Sequence, residues 1–129
     1  MHDILILDIA ILELFRKNEF MAREQLQTLS EPMYFILLAL TKPMHGYEIM
    51  QTVSDISHNR LNVGAGTLYA LLTRFEKGGF IRCVGNDGRR KTYTLTERGR
   101  GLLDREYERL NESITAYREY ITEGINRER

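Results

Sequence analysis

The chain has 129 residues, of which 43% are hydrophobic and 28% are charged, and its formal net charge is zero. This length suits one small globular domain with a modest core. A multidomain enzyme is therefore not expected. Cys83 is the single cysteine. An intrachain disulfide framework and a zinc site built on paired cysteines are therefore excluded, and a reducing, cytoplasmic environment is expected.

The N-terminal stretch MHDILILDIAILELF is apolar enough to suggest a signal peptide or a membrane anchor. It has no basic leader, however, and Asp3, Asp8 and Glu13 keep each apolar run far shorter than the roughly 20 residues that span a bilayer. We predict that residues 1–22 form a soluble helical extension with no membrane partner. In the alternative, Met21 is the true first residue and the segment before it is dispensable.

The next segments predict a buried helix followed by an amphipathic helix. Ser30 or Glu31 precedes Pro32 at the start of the apolar run PMYFILLALT, and Pro43 ends this first helix because the residue before a proline avoids helical geometry. In HGYEIMQTVSDIS, apolar residues recur at positions i, i+4 and i+7. That spacing predicts an amphipathic helix of about three turns beginning near Gly46.

The stretch VGAGTLYALLTRFEKGG predicts a third helix with two different faces. Its apolar stripe consists of Leu68, Leu71, Leu72 and Phe75. The other side carries small and basic residues, and Gly78 with Gly79 is placed to end the helix. Gly64 and Gly66 permit close backbone approach at the helix start, where free N–H groups and the positive dipole end can meet a phosphate.

FIRCV and KTYTL flank the turn-like NDGRR and predict a two-stranded hairpin. The alternation in FIRCV favours a buried, structural Cys83 over a redox sensor. Thr96 is placed to cap a last helix, without a reciprocal capping box because Gly99 is the third helical residue.

Apolar residues along the last helix recur in steps of four and three, the pattern of a heptad seam. The seam consists of Leu103, Tyr107, Leu110, Ile114, Tyr117 and Ile121. A monomer would expose this stripe, so we predict a homodimer. We therefore divide the chain into an N-terminal extension (1–22), a central domain (23–95) and a C-terminal dimerisation helix (96–129).

Charge is distributed unevenly although it sums to zero. From Arg60 to Arg100 there are nine basic and three acidic residues, a local charge of +6 against −6 for the remainder. This asymmetry is typical of one electropositive face on an acidic body, with an ordinary solvated surface as the alternative. Two amphipathic helices joined by a turn and followed by a hairpin predict a winged helix-turn-helix, a mainly α fold with a minor β component.

The segments GTLYALLTRFEKGGFI and GRRKTYTLTERG, with MYFILLAL and HGYEIM before them, resemble the PadR family of winged-helix transcriptional regulators over about residues 21–110. Two departures are small: Phe75 stands where the family often has leucine, and GGF replaces a shorter turn. The resemblance implies that the GTLY helix enters the major groove of DNA, that the wing contacts the backbone or minor groove, and that the C-terminal helix forms a dimer. Dimer symmetry in turn predicts a palindromic operator.

The residues expected to bind DNA are Tyr47, Gly66, Thr67, Tyr69, Thr73, Arg74, Lys77, Arg89, Arg90 and Lys91. Alternatives stay open for several of them. Tyr69 packs against the wing or contacts DNA, Tyr47 closes the core or meets a phosphate, and the wing cations contact phosphates or form a solvated turn.

No catalytic or metal constellation is visible, since His2, His45 and His58 lack suitable neighbours, and we predict no enzyme activity and no cofactor. The main hypothesis is a repressor that a small-molecule effector releases from double-stranded DNA. The resemblance implies a small hydrophobic or phenolic effector, for which Tyr107, Tyr117 and Tyr120 are pocket or seam-packing candidates. The alternative is a winged helix used only for protein–protein contact, which would have no need for the basic run at the wing tip.

Overall fold

The computed structural model describes residues 28–128, which form four helices and a three-stranded antiparallel sheet. The helices are α1 (Glu31–Ala39), α2 (Gly46–Ile56), α3 (Ala65–Lys77) and α4 (Glu97–Glu128). The strands are β1 (Met44–His45), β2 (Ile81–Asn86) and β3 (Lys91–Leu95), in the sheet order β1–β3–β2. This architecture confirms the predicted winged helix-turn-helix with a long C-terminal helix. The predicted extension at residues 1–22 lies outside the described residues, and the division into three regions stays a prediction.

Helices α1 and α2 both begin at side-chain caps. The Ser30 hydroxyl accepts a hydrogen bond from the N–H of Met33 (3.4 Å), and Pro32 lies in the first turn of α1. At α2, His45 Nδ1 accepts from the N–H of Glu48 (3.5 Å), while Glu48 Oε1 accepts from the N–H of His45 (3.4 Å). This reciprocal pair is a capping box with a histidine in the position usually held by serine or threonine.

The core lies where α1, α2 and α3 meet the base of the wing and the start of α4. Its fully buried side chains are Ile36, Leu37, Leu40, Ile49, Val53, Leu68, Leu72, Phe75 and Ile81. The predicted stripe of α3 packs into this core, with Leu71 partly buried beside it. Because three helices and the sheet share these contacts, the exposed side of α3 is held in a fixed orientation.

The wing is the predicted hairpin, but Cys83 is exposed, so the prediction of a buried cysteine was wrong. Only the first residue of β2, Ile81, is buried, because the rest of this edge strand projects away from the core. An irregularity in pairing between Cys83 and Gly85 also interrupts the alternation. The Cys83 thiol donates to the carbonyl of Gly85 (3.2 Å).

Strand β1 was not predicted from the sequence. Met44 pairs with Tyr93 and His45 pairs with Thr92, so that the central strand of the sheet is β3. Two residues are too few to show an alternating pattern, and their partner lies far along the chain. The pairing attaches the base of the wing directly to the start of α2.

A close backbone contact joins the end of α3, the wing and α4. The Thr96 hydroxyl donates to the carbonyl of Gly79 (2.6 Å) and accepts from the N–H of Gly99 (3.1 Å), which gives α4 its predicted cap. The N–H of Thr96 donates to the carbonyl of Phe80 (3.1 Å). A Cβ atom at position 99 would lie 2.0 Å from that carbonyl oxygen, so only glycine fits. Gly79 takes a positive φ of 77°, as expected for a glycine that ends a helix.

Leu102, Leu103 and Glu106 are the last buried side chains of α4. Leu103 therefore belongs to the core of the protomer, which corrects its assignment to the dimer seam. Glu106 pairs with Arg109, whose Nε lies 3.2 Å from Glu106 Oε2. The exposed apolar stripe consists of Tyr107, Leu110, Ile114, Tyr117 and Ile121. Within residues 28–128, no helix is both long and apolar enough to cross a membrane.

Replacing Gly99 by alanine should destabilise the fold by about 1–3 kcal/mol or more, because the added methyl group overlaps the carbonyl oxygen of Phe80. Urea unfolding followed by circular dichroism measures the change. Gly124→Ala is the matched control, because a Cβ there meets nothing within 4 Å and alanine favours the helix. Equal stability of the two variants would contradict the role assigned to this contact.

Candidate nucleic-acid interface

The exposed side of α3 has small residues at its centre and larger polar ones on its flanks. Helical geometry places Gly66, Ala70, Thr73 and Lys77 along the middle of this face. Tyr69 lies on the flank nearer the wing, and Thr67 and Arg74 lie on the opposite flank. The N-cap residue of α3 is Gly64, which has no side chain, so the first N–H groups of the helix have no side-chain partner at the cap. The small residues leave space along the middle of the exposed face, and the polar side chains on its flanks supply hydrogen-bond donors.

The tip of the wing is a tight turn held by Asp87. Its Oδ1 accepts hydrogen bonds from the N–H groups of Arg89 (3.0 Å) and Arg90 (2.7 Å), and its own N–H donates to the carbonyl of Arg90 (3.2 Å). Gly88 takes a φ of 88° within this turn. The hydrogen bonds from Arg90 and Arg89 lower the pKa of Asp87 below its usual value of 3.8. The carboxylate thus fixes the backbone from which the exposed arginine side chains extend.

A cleft of about 450 Å³ lies between α3, the start of α2 and the wing. Its lining residues are His45, Gly46, Tyr47, Tyr69, Thr73, Arg89, Arg90, Lys91 and Tyr93. The structure therefore brings together six of the predicted DNA-binding residues, namely Tyr47, Tyr69, Thr73, Arg89, Arg90 and Lys91. The other four, Gly66, Thr67, Arg74 and Lys77, are exposed on α3 outside the cleft.

Both tyrosines of the cleft are largely exposed. Tyr69 is 53% exposed, and its hydroxyl covers Gly46, where a Cβ atom would lie only 2.6 Å from the tyrosine oxygen. Tyr69 therefore packs across the start of α2 while one side of its ring borders the cleft. Tyr47 is 69% exposed and does not close the core. Their part in DNA binding stays a prediction.

The hydroxyl of Thr73 donates to the carbonyl of Tyr69 (2.9 Å). Its proton is therefore used within the helix, and the side chain offers an acceptor oxygen and a methyl group to a ligand. An acceptor of this kind does not bind a phosphate. It suits the exocyclic amino group of adenine or cytosine, and the methyl group suits that of thymine.

His45 borders the cleft although the sequence did not single it out as a binding residue. Its Nε2 lies 2.7 Å from Glu48 Oε1 and 3.5 Å from Arg90 Nη1. The sequence placed His45 just before a helix predicted to begin near Gly46, but nothing local indicated that the wing returns beside it. Within residues 28–128, no cluster of three His, Cys, Asp or Glu side chains could hold a metal ion.

A helix-turn-helix with a basic wing and a cleft between them defines the class of winged-helix regulators. A family model, the transcriptional regulator PadR-like family, matches residues 36–105, which is more than half of the chain. The chain belongs to this family, as its sequence motifs indicated. Members of the family are transcriptional regulators and not enzymes, and this protein is a transcriptional regulator.

Two relatives match parts of the chain. An uncharacterised 37.1 kDa protein of transposon TN4556 from Streptomyces fradiae is 40% identical over 72 residues, covering 55% of this chain and 20% of that protein. The chain thus spans a fifth of the length of this relative. An uncharacterised protein X from Lysinibacillus sphaericus is 34% identical over 89 residues, covering 64% of this chain and 82% of that protein.

Among solved structures, a PadR family transcription regulator from Clostridium difficile R20291 superposes with a TM-score of 0.59 at 22% identity. The match covers 71% of this chain and 99% of that chain. The superposition establishes a shared fold. At this low identity it does not assign roles to individual residues.

Replacing Asp87 by alanine should loosen the wing turn, because the amides of Arg89 and Arg90 lose their acceptor. Amide hydrogen exchange of these two residues should become faster, whereas Asp87→Asn should preserve much of the protection through its carbonyl oxygen. In the wild type, protection should be full above pH 3.8 and should fall towards the level of Asp87→Asn as the pH drops through the lowered pKa of Asp87, because the protonated carboxyl keeps only a neutral carbonyl acceptor. Unchanged exchange in Asp87→Ala would contradict this account of the turn.

Proposed function

We propose that the protein is a cytoplasmic, homodimeric repressor of transcription that binds double-stranded DNA through α3 and the wing. The observation that carries this proposal is the cleft between the two elements, bordered on the wing side by the consecutive cations Arg89, Arg90 and Lys91. A groove lined by cations beside an exposed helix matches the shape and charge of a DNA backbone next to its major groove.

Contacts of two kinds are expected. The wing cations are exposed and extend from a turn fixed by Asp87, so they can donate to phosphates, which set register but carry no direct sequence information. On α3, Gly66 and Ala70 leave room for the helix to approach the base pairs closely. Thr67 and Thr73 are the residues expected to reach base edges.

Dimerisation is proposed to involve the stripe on α4 from Tyr107 to Ile121, which the protomer leaves exposed. Two-fold symmetry would then present two copies of α3 to one side of the DNA. The operator is expected to be palindromic, with half-sites about 34–36 Å apart or a multiple of this distance.

Repression is the simplest mechanism, since a dimer bound at a promoter can block polymerase. Release by a small hydrophobic or phenolic effector is part of the proposal. Tyr107, Tyr117 and Tyr120 are exposed on α4 and are the candidates to contact such a molecule at the dimer interface.

The alternative function is a protein–protein interaction module that does not bind DNA. The fold alone is compatible with it. The three consecutive wing cations favour DNA, because condensed counterions released from phosphates supply much of the affinity of such contacts. Salt dependence distinguishes the two functions.

Arg89→Ala combined with Arg90→Ala should lower the slope of log affinity against log salt by about one unit for each lost phosphate contact. Fluorescence anisotropy with labelled duplex DNA at several salt concentrations measures this slope. Binding should weaken by similar factors on operator and scrambled duplexes, whereas Thr67→Ala should weaken operator binding selectively.

Lys42→Ala combined with Arg105→Ala is the matched control, because it removes the same charge from exposed positions outside the cleft. The control should keep the wild-type slope. An unchanged slope in the folded, dimeric wing variant would remove the wing from the interface, and absence of salt-dependent DNA binding by the wild type would favour the protein-binding alternative.

Leu110→Glu combined with Ile114→Glu should yield folded monomers, because both side chains are exposed in the protomer and would bring charge into the seam. Analytical ultracentrifugation at low micromolar concentration measures the assembly state. Thr115→Glu with Thr122→Glu adds the same charge beside the seam and should remain dimeric. A seam variant that is still dimeric would show that the interface lies elsewhere.

A further inference from the structure

We propose that Thr73 determines sequence specificity by reading one A·T base pair in each half-site, with its hydroxyl oxygen accepting a hydrogen bond from the adenine amino group. The inference rests on the proposed DNA-binding function and adds to it the identity of a base pair that the operator must contain. It concerns the middle of the exposed face of α3, where this helix borders the cleft.

The hydroxyl group of Thr73 meets a ligand as an acceptor because its proton is already engaged. It donates to the carbonyl of Tyr69, four residues earlier (2.9 Å), a hydrogen bond that threonine makes readily within a helix. A hydroxyl oxygen has two lone pairs with which it can accept from a ligand. Turning the proton towards DNA would break the bond to Tyr69, so the acceptor role is the less costly one.

The neighbours of Thr73 on α3 allow the helix to come close enough for so short a side chain to reach a base. Thr73 is exposed and lies in line with Gly66 and Ala70. A Cβ atom at Gly66 would meet nothing within 4 Å, so the space in front of this part of the helix is open. The major groove, which is about 12 Å wide, admits a helix with such a face.

A phosphate is an unsuitable partner for Thr73, because its oxygens are acceptors as well. Arg89, Arg90 and Lys91 line the wing side of the same cleft and supply the donors that phosphates require. The cleft thus separates two kinds of contact, with cations on the wing and an acceptor on α3. This acceptor is left for the edge of a base.

Among the base pairs, A·T matches an acceptor that lies beside a methyl group. In the major groove adenine presents its N6 amino donor and thymine presents its C5-methyl group. Guanine presents only acceptors there, which oppose the Thr73 oxygen, and the amino group of cytosine comes without a methyl group on its pair. The side chain therefore favours A·T over G·C.

The first test compares the sequences that the full-length wild type and Thr73→Val select from a duplex library with a randomised central region. Valine keeps the shape and a methyl group but has no acceptor, and its helix propensity is close to that of threonine, so the variant should fold. The wild type should select one A·T pair in each half-site for which Thr73→Val has lost its preference. The other positions should be selected equally by both proteins.

Two further variants serve as controls. The exposed hydroxyl of Thr41 also donates to a local backbone carbonyl, that of Leu38 (2.9 Å), but it lies outside the cleft. Thr41→Val is therefore the matched control and should select the wild-type sequence. Thr73→Ser keeps the acceptor and loses the methyl group, so it should still prefer an amino group at this position but distinguish adenine less well from cytosine.

A base analogue tests the amino group directly. In the selected duplex, purine replaces adenine at the position concerned and so lacks the N6 amino group. Fluorescence anisotropy should show that wild-type binding weakens by about three- to tenfold for each half-site, whereas Thr73→Val should lose much less. Because purine also weakens the base pair itself, the difference between the two proteins is the decisive quantity.

The outcomes separate this inference from the proposed function. An unchanged selection profile in Thr73→Val, a G·C preference lost with the hydroxyl, or equal effects of purine on both proteins would overturn the role of Thr73 and leave DNA binding intact. Equal weakening of Thr73→Val on every sequence would indicate a phosphate contact and would overturn it too, as would a wild type without sequence preference. Absence of DNA binding by the wild type at every salt concentration would overturn both.

Discussion

The approach of Gly99 to the carbonyl of Phe80 is the contact on which the geometry of the proposed recognition surface depends. At this position the end of α3, the first residues of the wing and the start of α4 meet through backbone atoms. Because no side chain separates them, a change in one element must shift the other two. The contact therefore fixes the wing relative to α3 and links both to the helix that we propose to dimerise.

In the cleft, hydrogen bonds between residues close in sequence determine where the functional groups lie. Asp87 sets the backbone of the wing turn, and the capping pair of His45 and Glu48 sets the start of α2. Tyr69 covers Gly46 and closes the gap between α2 and α3. The cleft is consequently lined by polar groups on rigid elements, an arrangement that lowers the cost of ordering them when a ligand binds.

The sequence predicted most of the fold because each helix shows its own period and end signals. Ser30 with Pro32, and Gly78 with Gly79, mark helix ends through local chemistry alone. The prediction for Cys83 was wrong because alternation along a strand implies one buried face and one exposed face. Beyond Ile81, strand β2 projects from the core, and both of its faces are exposed to solvent. Leu103 was placed in the seam because a heptad pattern does not distinguish packing within a protomer from packing between protomers.

The site was predictable as a set of residues but not as a cleft. Small and basic residues on α3 and at the wing tip indicated the elements involved, and the family motifs agreed with them. The contact of His45 with Arg90 joins residues 45 positions apart, and strand β1 brings them together through only two paired residues. No local period encodes such a contact.

The central claim is that α3 and the wing together form the DNA-binding surface. Hydrogen–deuterium exchange of the full chain, with and without a saturating duplex, tests it most directly. We predict slower exchange in peptides covering residues 65–77 and 86–91 when DNA is present, with little change in peptides covering residues 107–125. Unchanged exchange in the first two segments, with slowing confined to α4, would contradict the account.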